Sequence, residues 1–278
     1  MSRIRSLARD WLPPVLARPV QALRRDRIRF DGPFASWEEA TAKSVGYDAD
    51  NILAQVLDAT LAVKRGEPAF ERDSVLFDRL DYVWPVTAGP MWSAARANGR
   101  HDVLDFGGSL GSSYFQHTRL LAKLTEVRWS IVEQPHFALA GRTALQDGQL
   151  RFHESIGQCL TASRPNVILL SSVLQCLADP LAVIAEVRAV GAAVIIGDKT
   201  VVNPSPRDRI HVQHVPASIY RASYPCRSLS EPAPVAGFGP AYRLECAFGG
   251  GDFPQLARTG SQFRGFLLAS AGQRGSSQ

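Results

Sequence analysis

Val103-Leu104-Asp105-Phe106-Gly107-Gly108-Ser109-Leu110-Gly111-Ser112-Ser113-Tyr114 is the stretch on which the fold turns. An apolar run ends in an acidic residue, glycines follow at 107, 108 and 111, and polar residues then open a helical pattern. This order reads as a strand, a tight loop and a helix. Glycine allows the left-handed backbone such a loop needs and leaves room for a ligand against the chain, while a helix N-terminus offers unpaired amide donors. The same loop also occurs as a plain connection, so its surroundings must decide.

Outward from the loop, short β-rich runs alternate with helical patterns. His101–Phe106, Val127–Glu133, Leu150–Phe152, Asn166–Ser171 and Ala193–Asp198 read as five strands, with helices opening near Ser112, Pro135, Ser155 and Pro180. Such alternation favours a parallel sheet covered by helices on both faces. Tyr242–Phe248 and Phe263–Ala269 break the rhythm, being joined by Gly249–Gly251 and a loop without a clear helix, and they predict an antiparallel pair at one edge. The fold class expected is therefore α/β, a Rossmann-like, mostly parallel sheet with an antiparallel strand at its C-terminal edge and an N-terminal helical extension.

Residues 30–100 read as an all-helical preface. Ser36 to Glu39 fits a capping box, Asp48 or Asp50 caps a helix from Asn51 to about Arg65 that Gly66 and Pro68 stop, and Ser74–Leu80 continues helical. After Trp84 and Pro85, Met91, Trp92, Ala94 and Ala95 lead to a stop at Asn98 and Gly99. Residues 101–271 form the α/β domain, and 272–278 read as a disordered tail.

The chain has 278 residues, 45% apolar and 21% charged, enough for one large α/β domain with an accessory segment. A peptide hormone, a disulfide mini-scaffold and a disordered chain are excluded. The net charge of +5 sits at one end: residues 1–29 carry eight Arg against Asp10 and Asp26, so the rest is close to neutral. A basic arm on a neutral body points to docking and away from a nucleic-acid groove across the fold. Within the arm, Ile4, Leu7, Ala8, Trp11 and Leu12 make an amphipathic stripe ended by Pro13 and Pro14, suited to peripheral contact with an anionic membrane or to packing on protein. Cys159, Cys176, Cys226 and Cys246 lack zinc-site spacing and no signal segment precedes them, so they read as reduced and buried in a cytoplasmic protein.

Two carboxylates give the loop its chemistry. Glu133 closes the second strand 22 residues past Gly111, where it can accept hydrogen bonds from both hydroxyls of a ribose. Asp105 precedes the glycines, where it would repel a dinucleotide's pyrophosphate and welcome a positive amino group. S-adenosylmethionine, with an ammonium, a sulfonium, a ribose and no phosphate, suits the pair better than NAD does.

The strand, acid and Gly107-Gly108-Ser109-Leu110-Gly111 loop resemble the first motif of class I S-adenosylmethionine-dependent methyltransferases, with Ser109 in place of the usual middle glycine. More narrowly, Glu71–Asp78, Leu104–Gln116, Val132–His136, Leu169–Gln175 and Val212–Pro216 with Ser223–Cys226 resemble a bacterial family of methyltransferase-like proteins associated with surface-polysaccharide gene clusters. The likeness spans roughly residues 30–270 and departs at Arg221, Pro232 and Pro234. It implies that Asp105, Gly107 and Gly111 hold the methionine part, with Gly108 and Ser109 also binding cofactor, Glu133 the ribose, and Gln134 and Glu154 flank the adenine, unless Ser155 merely caps a helix there. Ser171, Ser172 and Gln175 would line the floor between cofactor and acceptor, or be satisfied locally by backbone.

Methyl transfer from a sulfonium needs alignment and exclusion of water more than it needs a base. For a sugar or other hydroxyl acceptor, a base is sought after the fifth strand, among Asp198, Lys199, Arg209, His211, Gln213, His214 and Tyr220, read as one loop at the strand tips. His214 ranks first, then His211, with Asp198 beside them; no metal is expected, because the set has no known ligand spacing. The helical preface would cap the site through Tyr82, Trp84 or the stretch Glu71–Asp78, with core packing the better reading of Trp84, and Arg72, Arg209 and Arg221 would suit an acidic acceptor. Two rivals remain. A short-chain NAD(P)-dependent reductase wants Tyr and Lys four apart, but Tyr220 is followed by Tyr224 and the last lysine is Lys199. A non-catalytic methyltransferase-like scaffold would act through the arm.

Overall fold

A computed structural model describes residues 28–46, 50–216, 219–220 and 222–272. The expected amphipathic arm, Arg221 and the tail beyond Gly272 lie outside the described residues.

The chain order is β1 (Arg29–Phe34), α1 (Trp37–Ala42), α2 (Asp50–Lys64), β2 (Phe70–Arg72), β3 (Val75–Phe77), α3 (Trp84–Arg96) and β4 (Arg100–Phe106). There follow α4 (Ser112–Leu121), β5 (Glu126–Val132), α5 (Pro135–Ala144), β6 (Leu150–His153), α6 (Ile156–Ala162), β7 (Val167–Ser171) and α7 (Pro180–Val190). The last third holds β8 (Val194–Asn203), β9 (Arg209–Val215), β10 (Ala222–Ser230), α8 (Ala233–Ala236), β11 (Tyr242–Gly249), α9 (Pro254–Ala257) and β12 (Gln262–Ser270).

Strands β6, β5, β4, β7 and β8 lie side by side in that order, all parallel. The chain starts in the middle at β4, runs outward to β6, then returns to the other side of β4 at β7. This is the doubly wound order, and its reversal between β4 and β7 leaves a crevice at the carboxyl ends where open α/β sheets bind ligands. Beyond β8, β12 runs antiparallel and β11 pairs with it, the edge hairpin the sequence predicts. A helical turn, α9, interrupts the connection expected to lack one.

Period-two alternation sends each strand's residues to opposite faces. Val103, Trp129, Ile131, Leu169 and Ile196 pack with Ile52, Val86, Leu121 and Phe137 on one face. Leu104, Val132, Ile168, Leu170 and Ile195 pack with Ile184, Val187 and Phe238 on the other. The helix starts follow local chemistry: Ser36, Ser155 and Asp179 each accept a backbone N–H of the first turn, and α7 stops at Gly191, whose φ is 73°.

The preface is not all helical. β1 joins the sheet through β9, and the expected helix Ser74–Leu80 is instead the second arm of a two-residue hairpin. Asp73 and Ser74 take φ values of 50° and 61°, the left-handed pair of a tight hairpin turn, and Phe70 stacks on Phe77 at 4.6 Å across the strands. β8 also runs on past Asp198, and Arg209–Val215 is a strand between β1 and β10, not a loop at the strand tips. Of the four cysteines, all free, Cys159 and Cys226 are buried as expected, whereas Cys176 and Cys246 are exposed. No helix among the described residues is long and apolar enough to cross a membrane.

Candidate active site

The loop 107–111 folds back over the carboxyl end of β4. Gly107, Ser109 and Gly111 have φ of 71°, 53° and 98°. Its glycines are dictated by packing as well as by backbone: a Cβ on Gly107 would fall 2.4 Å from Cγ2 of Val173, and one on Gly108 would fall 2.6 Å from the Asp105 carboxyl carbon. Space for a ligand is thus not what these two positions reserve; they let the loop settle on the strand tips.

Asp105 lies beneath that loop, 1% exposed, where Nε1 of Trp129 donates to its Oδ2 at 3.1 Å. Burial pushes its carboxyl up to about 7, with the Trp129 bond opposing and the Glu133 charge adding. It does not reach the cleft surface, so the direct contact with a ligand expected of it is not available to its side chain.

Glu133 follows β5 and stands at the cleft wall. Its Oε1 accepts the N–H of Ser109 at 3.2 Å and its Oε2 that of Gln134 at 2.8 Å. Burial raises its pKa while these two bonds lower it. A carboxylate has about four acceptor positions, so two stay open on a group already oriented by backbone. Gln134 is exposed at the start of α5. Glu154 is engaged elsewhere, in an ion pair with Arg142 at 2.8 Å, and Ser155 takes the capping role.

The floor comes from β7 and β8. Ser171 Oγ donates to Asp198 Oδ2 at 3.4 Å, and the N–H of Ser172, at φ 57°, donates to the Asp198 carbonyl. Asp198 Oδ1 and Gln175 Oε1 are buried and without a hydrogen-bond partner among the described residues. Buried acceptors left open in a polar cleft mark where water or ligand donors sit. Cys176 closes the floor, open to solvent yet crowded by protein, and burial with the nearby Asp73 and Glu133 charges pushes its thiol up to about 12. It stays a neutral thiol at physiological pH.

The β2–β3 hairpin forms the roof. The Glu71 carboxylate, 2% exposed, accepts from the Ser112 hydroxyl and from the N–H of Ser74, which fastens the hairpin to the first turn of α4. Burial pushes Glu71 up to about 7. Arg72 donates to Gln116 Oε1 at 3.3 Å, while Asp73, Arg72 and Asp81 lie near Lys199. Glu71–Asp78 thus pack on the start of α4 as a hairpin instead of the expected helix.

The histidines are not brought to the cleft. His214 Nε2 lies 2.8 Å from Asp31 Oδ2, pairing β9 with β1. His211 is 4% exposed on the same strand, and burial lowers its pKa. β10 separates β9 from β8, so the grouping of His211, His214 and Asp198 in one loop fails because the loop is a strand. Arg209 is likewise tied, donating to the Thr259 carbonyl at 3.1 Å. The sequence gives Trp129 no role beyond its strand and Cys176 none beyond a buried reduced thiol, because a strand tryptophan and an isolated cysteine give no sign of a cleft.

No protein-family model matches the chain, and no curated protein does. Solved structures of similar shape include the 1,6-didemethyltoxoflavin-N1-methyltransferase of Burkholderia thailandensis with bound 1,6-didemethyltoxoflavin and S-adenosylhomocysteine (14% identity, 86% of this chain and 92% of that one, TM-score 0.41). The N-terminal domain of EvdMO1, in the presence of S-adenosylhomocysteine and D-fucose, is 18% identical over 80% of this chain and 97% of that one, with a TM-score of 0.43. Magnesium protoporphyrin IX methyltransferase of Synechocystis PCC 6803, with bound S-adenosylmethionine, is 11% identical over 81% of this chain and all of that one, with a TM-score of 0.41.

Proposed function

We propose that this chain is an S-adenosylmethionine-dependent methyltransferase that methylates a hydroxyl of a sugar, a glycan precursor or another small polar acceptor. The observation that carries the reading is Glu133, held at the tip of β5 by the amides of Ser109 and Gln134 with two acceptor positions to spare. Next to it, the glycine loop lies over a buried carboxyl, Asp105. A ribose satisfies Glu133, and a positively charged ligand gains from both acids, whereas a pyrophosphate would be opposed by both. The residues therefore fit S-adenosylmethionine and disfavour a dinucleotide.

S-adenosylmethionine, when bound, supplies a methyl group on a good leaving group. The chain's own work is alignment and exclusion of water. Glu133 would hold the ribose, Gln134 would border the adenine, and the amides of 107–111 with the Asp105 charge beneath would hold the amino-acid end. Ser172, Gln175 and Asp198 would form the floor toward the acceptor, and the hairpin would close the roof. Residues 1–29 would dock the enzyme on a partner or an anionic membrane surface, and nucleic acid has no part in this reading.

Calorimetric titration with S-adenosylhomocysteine, with NADH in parallel, tests it. Micromolar binding of the former alone is expected, weakened roughly 10- to 100-fold by Glu133→Gln, because charge-assisted hydrogen bonds contribute about 1.5–3 kcal/mol. Silence toward S-adenosylhomocysteine with a response to NADH would replace this reading with a reductase, and silence toward both would favour a scaffold.

A further inference from the structure

β8 carries an irregularity at the one point where it meets the cleft. Thr200 pairs with Arg264 and Gly197 with Phe266, so Asp198 and Lys199 together oppose a single residue of β12. This is a β-bulge, a device that re-aims a side chain and recurs beside active sites. Lys199 sits in it at φ 49°, a left-handed conformation that a non-glycine residue holds only when its surroundings enforce it. The bulge lies beside the Ser172 turn, which has its own left-handed residue, and faces the hairpin roof. The charged groups near Lys199 are Asp198 on its own strand, Arg72 and Asp73 on the hairpin, and Asp81 before α3. No salt bridge joins Lys199 to any of these carboxylates, and the residue is half-buried.

We propose that Lys199 is the catalytic base that takes the proton of the acceptor hydroxyl, an inference that rests on the methyltransferase reading. Strand order places it correctly: Glu133 on β5 fixes the ribose side and the β4 loop the amino-acid end, so β7 and β8 are left for the methyl group and the acceptor. The acceptor oxygen forms a bond to the methyl carbon of the sulfonium donor, the carbon–sulfur bond breaks with its electron pair going to sulfur, and the proton passes to the neutral amine of Lys199. Burial, with Arg72 adding, lowers the Lys199 pKa against the raising effect of the three aspartates, which increases the share of free amine. The excess of carboxylates over cations there also selects a neutral acceptor, an uncharged sugar hydroxyl in preference to a phosphate or a uronic acid.

The sequence has four lysines, Lys43, Lys64, Lys123 and Lys199, so reductive dimethylation with ¹³C-formaldehyde gives a lysine NMR spectrum simple enough to assign by Lys199→Arg. With S-adenosylhomocysteine bound, the Lys199 signal is expected to titrate below the ordinary lysine range. Lys199→Arg and Lys199→Met are expected to bind S-adenosylhomocysteine within about threefold of the wild type, because a base on the acceptor side does not hold the donor. A Lys199 signal in the ordinary range, a Lys199 that formaldehyde cannot reach, or a loss of binding beyond about tenfold in both variants would each overturn the base role alone. Failure of the wild-type chain to bind S-adenosylhomocysteine would instead overturn the methyltransferase reading, and the base role with it.

Discussion

Asp105 shows how far one residue's role depends on what lies above it. Its place before the glycines gives it a charge near a ligand, but the loop closes over it and leaves Trp129 as its hydrogen-bond donor. A carboxyl whose folded pKa is raised from 3.8 to about 7 binds its proton more tightly in the folded state. Its contribution to stability is complete below the unfolded value and is lost as the pH rises through about 7. Asp105→Asn, which keeps an oxygen for the indole N–H, should therefore stabilise the protein at pH 8 and lose that advantage by pH 4. Urea denaturation at the two values measures this, and an asparagine variant less stable at pH 8 would mean that the ionised carboxylate is favoured where it lies. Glu71 titrates in the same sense, so the comparison is of the variant with the wild type at each pH.

At the scale of elements, what was legible in the sequence is what local chemistry decides. The five parallel strands, their four helices, the edge hairpin and the stop at Asn98 and Gly99 stand where apolar alternation, caps and glycines put them. Two elements differ from what their local sequence predicts, for one reason. Val75, Leu76 and Phe77 are apolar in either a helix or a strand, and only pairing with Phe70–Arg72 makes them a strand. Ile210, Val212 and Val215, mixed with polar residues, look like a loop until β1 and β10 flank them. Pairing across long stretches of chain leaves little trace in local sequence. The same effect moved His211 and His214 away from Asp198 and left, of the seven candidates, Asp198 and Lys199 beside the Ser172 turn. The hairpin turn gives a test at this scale. Ser74→Gly removes a side chain from a residue at φ 61° and keeps the N–H that Glu71 accepts, so it should stabilise by roughly 0.5–1 kcal/mol. Thermal denaturation reads it, and a loss of stability would show that the turn is not the strained element.

For the whole molecule, the two ends of one sheet differ in the groups they present. The carboxyl ends carry the pinned Glu133, the left-handed residues Gly107, Ser109, Ser172 and Lys199, and the hairpin roof. The amino ends of β4 and β8 border a cavity of about 330 Å³ lined by Arg96, Arg100 and Arg243 among others, where Arg100 pairs with Asp102, Arg243 with Glu245, and Arg96 lies over Trp92. The position of a bound ligand therefore decides the account. The measurement that tests it most directly is a crystal structure with S-adenosylhomocysteine. The account predicts the ribose hydroxyls on Glu133 and the sulfur facing Ser172 and Lys199. A ligand seated in the arginine-lined hollow, or with its ribose away from Glu133, would contradict it.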